Sequence, residues 1–99
     1  MPANKITWSA PAKRQIGKIV EYIRQDSVQN AEKVYAKLLN KLDIVAMTPE
    51  TCPPDKYKTN NNGTYRAFVL FNYRVSYRIK DNEIRILRFR HTKMKTKYY

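Results

Sequence analysis

The apolar residues of this chain change period once, and that change restricts the fold more than any other feature. Up to residue 47 they recur at helical spacing, and from residue 65 they alternate. Ile16, Ile19, Val20 and Ile23 fall at i, i+3, i+4 and i+7, one face of a helix predicted at about 10–25. Ser9 offers a hydroxyl N-cap, and Pro11 sits in the first turn, where no backbone N–H is missed. Asp26 and Ser27 interrupt the pattern, and Ser27 can cap a second helix. Its stripe is Ala31, Val34, Tyr35, Leu38, Leu42 and Val45, widened by Leu39 and Ala46, while Lys33, Lys37 and Lys41 mark the wet face. So short a break makes the two helices fold back as an antiparallel hairpin. Pro49 disfavours helical backbone at Thr48 and ends the second helix.

Residues 4–8 read as a brief strand, and residues 48–63, with Pro49, Pro53, Pro54 and the run of asparagines before Gly63, as a mobile loop. Strands are predicted at 65–71, 73–80 and 83–91, with turns at Asn72 and at Asp81-Asn82. In the middle one, Val75, Tyr77 and Ile79 alternate with Arg74, Ser76, Arg78 and Lys80, giving one buried and one cationic face. The last strand slips phase. Ile84 and Ile86 share one face and Leu87 and Phe89 the other, so a bulge or apolar contact on both sides is expected. The expected architecture is one α+β domain over residues 1–99 in the order β-α-α-β-β-β. A helical hairpin packs on one face of a mainly antiparallel sheet, and arginine and tyrosine occupy the other.

Charge is as segregated as periodicity. The 99 residues carry 20 Lys and Arg against 8 Asp and Glu, a net +12. Residues 1–55 hold eight basic and six acidic side chains, whereas residues 56–99 hold twelve and two. One surface therefore carries the field, and its partners should be anionic: nucleic acid, an acidic protein segment or a membrane face. No apolar run approaches the roughly 18 residues of a membrane span. The first residues lack the apolar core of a secretory signal, so a cytoplasmic protein is expected. A single cysteine, Cys52, and a single histidine, His91, exclude an internal disulfide and a Cys- or His-rich metal site, and no cofactor is expected.

The cationic face suits single-stranded RNA. Arginines neutralise phosphates and aromatic rings stack on splayed bases. Arg78, Arg88 and Arg90 are candidate contacts, with Tyr77 for stacking, Lys56 and Lys58 from the loop, and Lys93, Lys95 and Lys97 from the tail. Cleaving RNA without a metal needs a base, an acid and cations around the phosphorane. His91 has the one ordinary pKa near neutrality and is the candidate base. Tyr98 and Tyr99 follow three lysines that favour the phenolate, and they are candidate proton carriers.

Taken in order, the opening Ile6-Thr7-Trp8-Ser9 with Ala12, then Ile19, Tyr22-Ile23 and Ala31, resemble the RelE/ParE superfamily of type II toxin–antitoxin toxins. So do Tyr65-Arg66, the strand from Tyr73-Arg74 to Tyr77-Arg78-Ile79, and the closing run from Ile84 to His91. The resemblance covers nearly the whole chain and implies a bacterial or plasmid-borne toxin neutralised by an acidic, partly disordered antitoxin. Two activities are implied. RelE-like members enter the ribosome and cut mRNA, and ParE-like members inhibit DNA gyrase without nuclease activity. Arg74 matches a phosphate-holding arginine of the RelE-like pattern, Arg66 stands at one of its lysine positions, and Phe68 at a second. His91 is common to both branches. The terminal Tyr98-Tyr99 resembles nuclease members, so a metal-independent, ribosome-dependent endonuclease using Arg66, Arg74, His91, Tyr98 and Tyr99 is the leading expectation, with gyrase inhibition the alternative.

Overall fold

A computed structural model describes residues 4–95 and 97–99; Met1, Pro2, Ala3 (which open the segment read above for a secretory signal) and Thr96 lie outside them. Strand β1 spans Lys5–Trp8, helix α1 Ala10–Asp26 and helix α2 Val28–Met47. Both helices start as the sequence dictates. The Ser9 hydroxyl accepts from Ala12 N–H and the Ser27 hydroxyl from Asn30 N–H, each at 3.1 Å. Ser27 alone separates the helices, its own N–H closing α1 on the Ile23 carbonyl at 2.9 Å. A 3-10 turn at Pro49–Thr51 follows, and then β2 at Tyr65–Leu70, β3 at Tyr73–Lys80 and β4 at Glu83–His91.

The sheet order is β1-β4-β3-β2, with β1 parallel to β4 and the remaining pairs antiparallel. Phe71-Asn72 and Asp81-Asn82 each have two successive positive φ angles (49° and 66°, 49° and 62°). That is the type I′ geometry whose twist matches two-residue hairpins. The core lies between helices and sheet: Leu38, Leu42 and Val45 from α2 meet Val75, Tyr77, Ile84, Ile86 and Phe89. Each fully buried Leu or Ile there contributes about 1.5–3 kcal/mol relative to exposure.

The slip in β4 is a bulge. Ser76 pairs with Arg88 but Tyr77 pairs with Ile86, so Leu87 is the extra residue. Strict alternation from Ile84 and Ile86 would turn residues 88 and 90 towards the helices. The inserted residue restores Phe89 to the core and aims Arg88 and Arg90 at the open face. Two contacts hold it in place: the Ser9 hydroxyl donates to the Leu87 carbonyl, and Phe89 N–H donates to the Gln15 side-chain oxygen, both at 2.7 Å.

The segment after α2 is tied down rather than mobile. Pro54 bridges to Arg66 on the outer edge of β2, Asp55 N–H donates to the Tyr65 carbonyl, and Ala67 N–H to the Pro53 carbonyl. The Asn61 amide donates to Tyr65 O at 2.7 Å and accepts from Gly63 N–H at 2.9 Å. Composition marks this stretch as a loop, but side-chain hydrogen bonds over long sequence distance decide its order.

Candidate functional site

The open face of the sheet is built by the outward residues of β3 and β4: Arg74, Ser76 and Arg78 from one, Arg88 and Arg90 from the other. Across it lies the last part of the chain. Tyr99 N–H donates to the Tyr57 carbonyl and Thr59 N–H donates back to Tyr99 O, a two-bond clasp between tail and loop. The clasp lays the Tyr99 ring edge-on to Tyr65, with centroids 6.0 Å apart, and under the Arg88 guanidinium at 5.6 Å.

The centre of this arrangement is Asp55, 3% exposed. Its Oδ1 takes the Arg74 guanidinium at 2.7 Å and Tyr57 N–H at 3.1 Å, and its Oδ2 takes the Tyr99 hydroxyl at 2.6 Å. Burial by itself would raise the Asp55 carboxyl. The hydrogen bonds from Tyr99, Arg74 and Tyr57, with the charge of Arg74, outweigh it and hold the carboxyl below its ordinary value. The Tyr99 phenol moves the other way. Burial and its bond to the negative Asp55 push its pKa up, so it holds its proton. That corrects the expectation that tail lysines would favour its phenolate, because the near neighbour is a carboxylate. Asp55 escaped sequence reasoning, although it is the only acid between Glu50 and Asp81.

The other sequence candidates divide by location. Lys58 lies over the rings of Tyr65 and Tyr99, at 4.8 and 5.3 Å, and Arg78 over Tyr65 at 4.9 Å. Lys56 sits over Tyr57 at 5.3 Å, and Lys97 lines the pocket with Arg90. These belong to the open face. Tyr98 is 72% exposed beside Tyr57, and Lys93 and Lys95 are exposed beyond β4. Arg66 is held within the loop: its Nε donates to Gly63 O at 3.0 Å and its Nη1 to Cys52 O at 2.7 Å.

Two candidates lie elsewhere. Tyr77 is 0% exposed in the core, its hydroxyl donating to Pro49 O at 2.7 Å. A stacking role is therefore corrected to a packing one; the alternation that put Val75 and Ile79 inside puts Tyr77 there too. His91 follows Phe89 on the helix side of the sheet. It lines a groove with Tyr22, Val34, Lys37 and Phe71, its ring edge-on to Tyr73 at 5.1 Å. Its Nδ1 accepts from Lys93 N–H at 3.0 Å. The sheet thus stands between His91 and Tyr99.

The architecture is that of the RelE/ParE superfamily. It overlays a chain of the chromosomal ParDE toxin–antitoxin system of P. aeruginosa with a TM-score of 0.70 at 16% identity, covering 92% of this chain and 98% of that one. It overlays a chain of the RelBE2 toxin–antitoxin complex of Mycobacterium tuberculosis with a TM-score of 0.56 at 19% identity, covering 92% and 93%. No curated protein matches the chain. Residues 6–96 match the family model of the ParE toxin of type II toxin–antitoxin systems, parDE, and the chain belongs to that family.

Proposed function

We propose that this ParE-family toxin arrests growth by binding its target rather than by cutting RNA, and that the target is DNA gyrase. The observation that carries the reading is the placement of the proton-transfer candidates apart from one another, His91 in the groove beside Tyr73 on one face of the sheet, Tyr99 on Asp55 across the other and Tyr98 exposed beside Tyr57. General acid and base must both reach one phosphodiester, within hydrogen-bond range of the atoms they serve. The cations are committed as well, Arg74 to Asp55 and Arg66 to loop carbonyls. Burial and Asp55 keep the Tyr99 phenol protonated, so it is not poised to take a proton as a general base at neutral pH. The endonuclease reading keeps one supporting observation, the meeting of Tyr99 with Arg88 and Arg74 on one cationic surface.

A cognate antitoxin completes the proposal. Its support is the family itself and the two neighbours described as toxin–antitoxin assemblies. An acidic segment would meet the cationic face and the exposed apolar residues of the hairpin and β2 rim, Tyr22, Val69 and Phe71 among them. The test is a supercoiling assay with purified gyrase beside a cleavage assay on ribosome-bound mRNA. Lost supercoiling with intact mRNA is expected; codon-positioned cuts with normal supercoiling would refute the reading.

A further inference from the structure

Of the asparagines in this chain, Asn62 alone precedes a glycine. The pair closes the run Asn60-Asn61-Asn62-Gly63 in the loop that carries Asp55. The Asn62 side chain is folded back towards the peptide that follows it. Its Oδ1 accepts from Thr64 N–H at 3.1 Å and from the Thr64 hydroxyl at 2.6 Å, an Asx turn closed by two donors. Gly63 puts no side chain in the way of its own nitrogen, and the space around it is open: a Cβ there would meet only Arg66 Nη2, at 4.0 Å. Asn62 is exposed, so water reaches it. Asn61 is the contrast. Its Nδ2 is tied to Tyr65 O at 2.7 Å and to Asp55 O at 3.3 Å, and the residue after it has a side chain.

We propose that Asn62 is a site of spontaneous deamidation promoted by Thr64, and that its isoaspartate product loosens the loop holding Asp55. The Gly63 nitrogen attacks Asn62 Cγ. The N–Cγ bond forms, the Cγ–Nδ2 bond breaks, and Nδ2 leaves as ammonia with the Gly63 amide proton. Water then opens the succinimide at either carbonyl, giving aspartate or isoaspartate with no change of oxidation state. Negative charge gathers on Oδ1 during the attack, where both Thr64 donors already point, and hydrogen bonds to a charged oxygen are about twice as strong as those to a neutral one. Gly63 N–H donates to Asn61 Oδ1 at 2.9 Å, and this bond must open first, which makes the conversion slow. The effect on the loop follows from the same contacts. Asn61 accepts from Gly63 and Tyr65 N–H and donates to the Asp55 carbonyl, while Gly63 O accepts from Arg66 Nε. Isoaspartate adds a methylene to the main chain between Asn61 and Gly63, so these bonds lose their register. The proposal stands whichever target the protein has.

The test is incubation of the full chain at mildly alkaline pH, followed by peptide-map mass spectrometry and by methylation with an isoaspartyl methyltransferase. Asn62 should convert ahead of every other asparagine, and Asn62→Gln should abolish the signal. Thr64→Val should slow conversion about three- to tenfold, the worth of one net hydrogen bond, while Thr64→Ser, which keeps the hydroxyl, should hold the wild-type rate. Hydrogen exchange at the Asp55 and Ala67 amides should rise as isoaspartate accumulates, and Asn62→Asp, which adds the charge without the methylene, should leave it unchanged. Asn62 staying intact over the time in which the urea-unfolded chain converts there would overturn the proposal. So would wild-type speed in folded Thr64→Val, or loop exchange that is the same in fresh and converted protein. Should Thr64→Val fail to fold, a slowed Thr64→Ser overturns the role of the hydroxyl.

Discussion

The Tyr99 hydroxyl and the Asp55 carboxylate meet at 2.6 Å across 44 residues of sequence, joining the last residue of the tail to the loop that follows the helices. The contact shapes the candidate site, because the same carboxylate holds Arg74 at 2.7 Å and so places an ion pair on an otherwise cationic face.

Removing that carboxylate should be felt in stability. Asp55→Ala strips Arg74 and Tyr99 of a shared acceptor, and a loss of about 2–4 kcal/mol in chemical unfolding is expected for a pair this buried. Asp55 lies below its ordinary value of 3.8 in the folded state. Its contribution is therefore complete above the unfolded value and disappears as pH falls through the lower, folded one. The gap between the wild type and Asp55→Ala should close there, and a gap that stayed constant into that range would show that the carboxylate is not held by charge.

Tyr77→Phe should cost about 1 kcal/mol, the net value of the hydrogen bond to Pro49 O, and leave target inhibition intact. Denaturant melts and the supercoiling assay together check this. Unchanged stability with lost activity would return Tyr77 to the functional surface.

Arg66→Ala should loosen the loop without unfolding the sheet. The side chain ties Gly63 and Cys52 together through their carbonyls. Its removal should raise hydrogen exchange at the Asp55 and Ala67 amides, which bridge the loop to β2, with a stability loss of about 1–2 kcal/mol. Exchange confined to Gly63 would mean that the edge bridge holds the loop alone.

Asn82→Ala should cost about 1 kcal/mol, since its φ of 62° suits asparagine or glycine far better than a plain side chain, while Asn82→Gly should be near neutral. Thermal unfolding of both variants checks the turn assignment; equal losses would place the cost in the side chain and not in the backbone.

These expectations also show what a sequence makes legible here. Ser9, Ser27, the helical stripes and Asp81-Asn82 act within a few residues, and each one's local chemistry already names the element it forms. The parallel pairing of β1 with β4 and the bulge at Leu87 depend on the assembled core, although the broken alternation of β4 signals the second. The site was less readable, because its organising residue is an acid counted with the near-neutral half and brought to Arg74 by a loop that composition describes as slack. His91 and Tyr99 are eight residues apart in sequence. Strand alternation sends one to the helix side, and the clasp with Tyr57 sends the other across the open face.

The most direct test of that separation is induction of the toxin in a bacterial host, with mRNA 5′ ends and plasmid topology followed over the first minutes. The account expects plasmids to lose negative supercoiling or DNA to break while mRNA ends stay unchanged, and it expects the same from a toxin carrying both His91→Ala and Tyr99→Phe. Abundant new mRNA ends at a fixed codon position, abolished by those two substitutions, would contradict it.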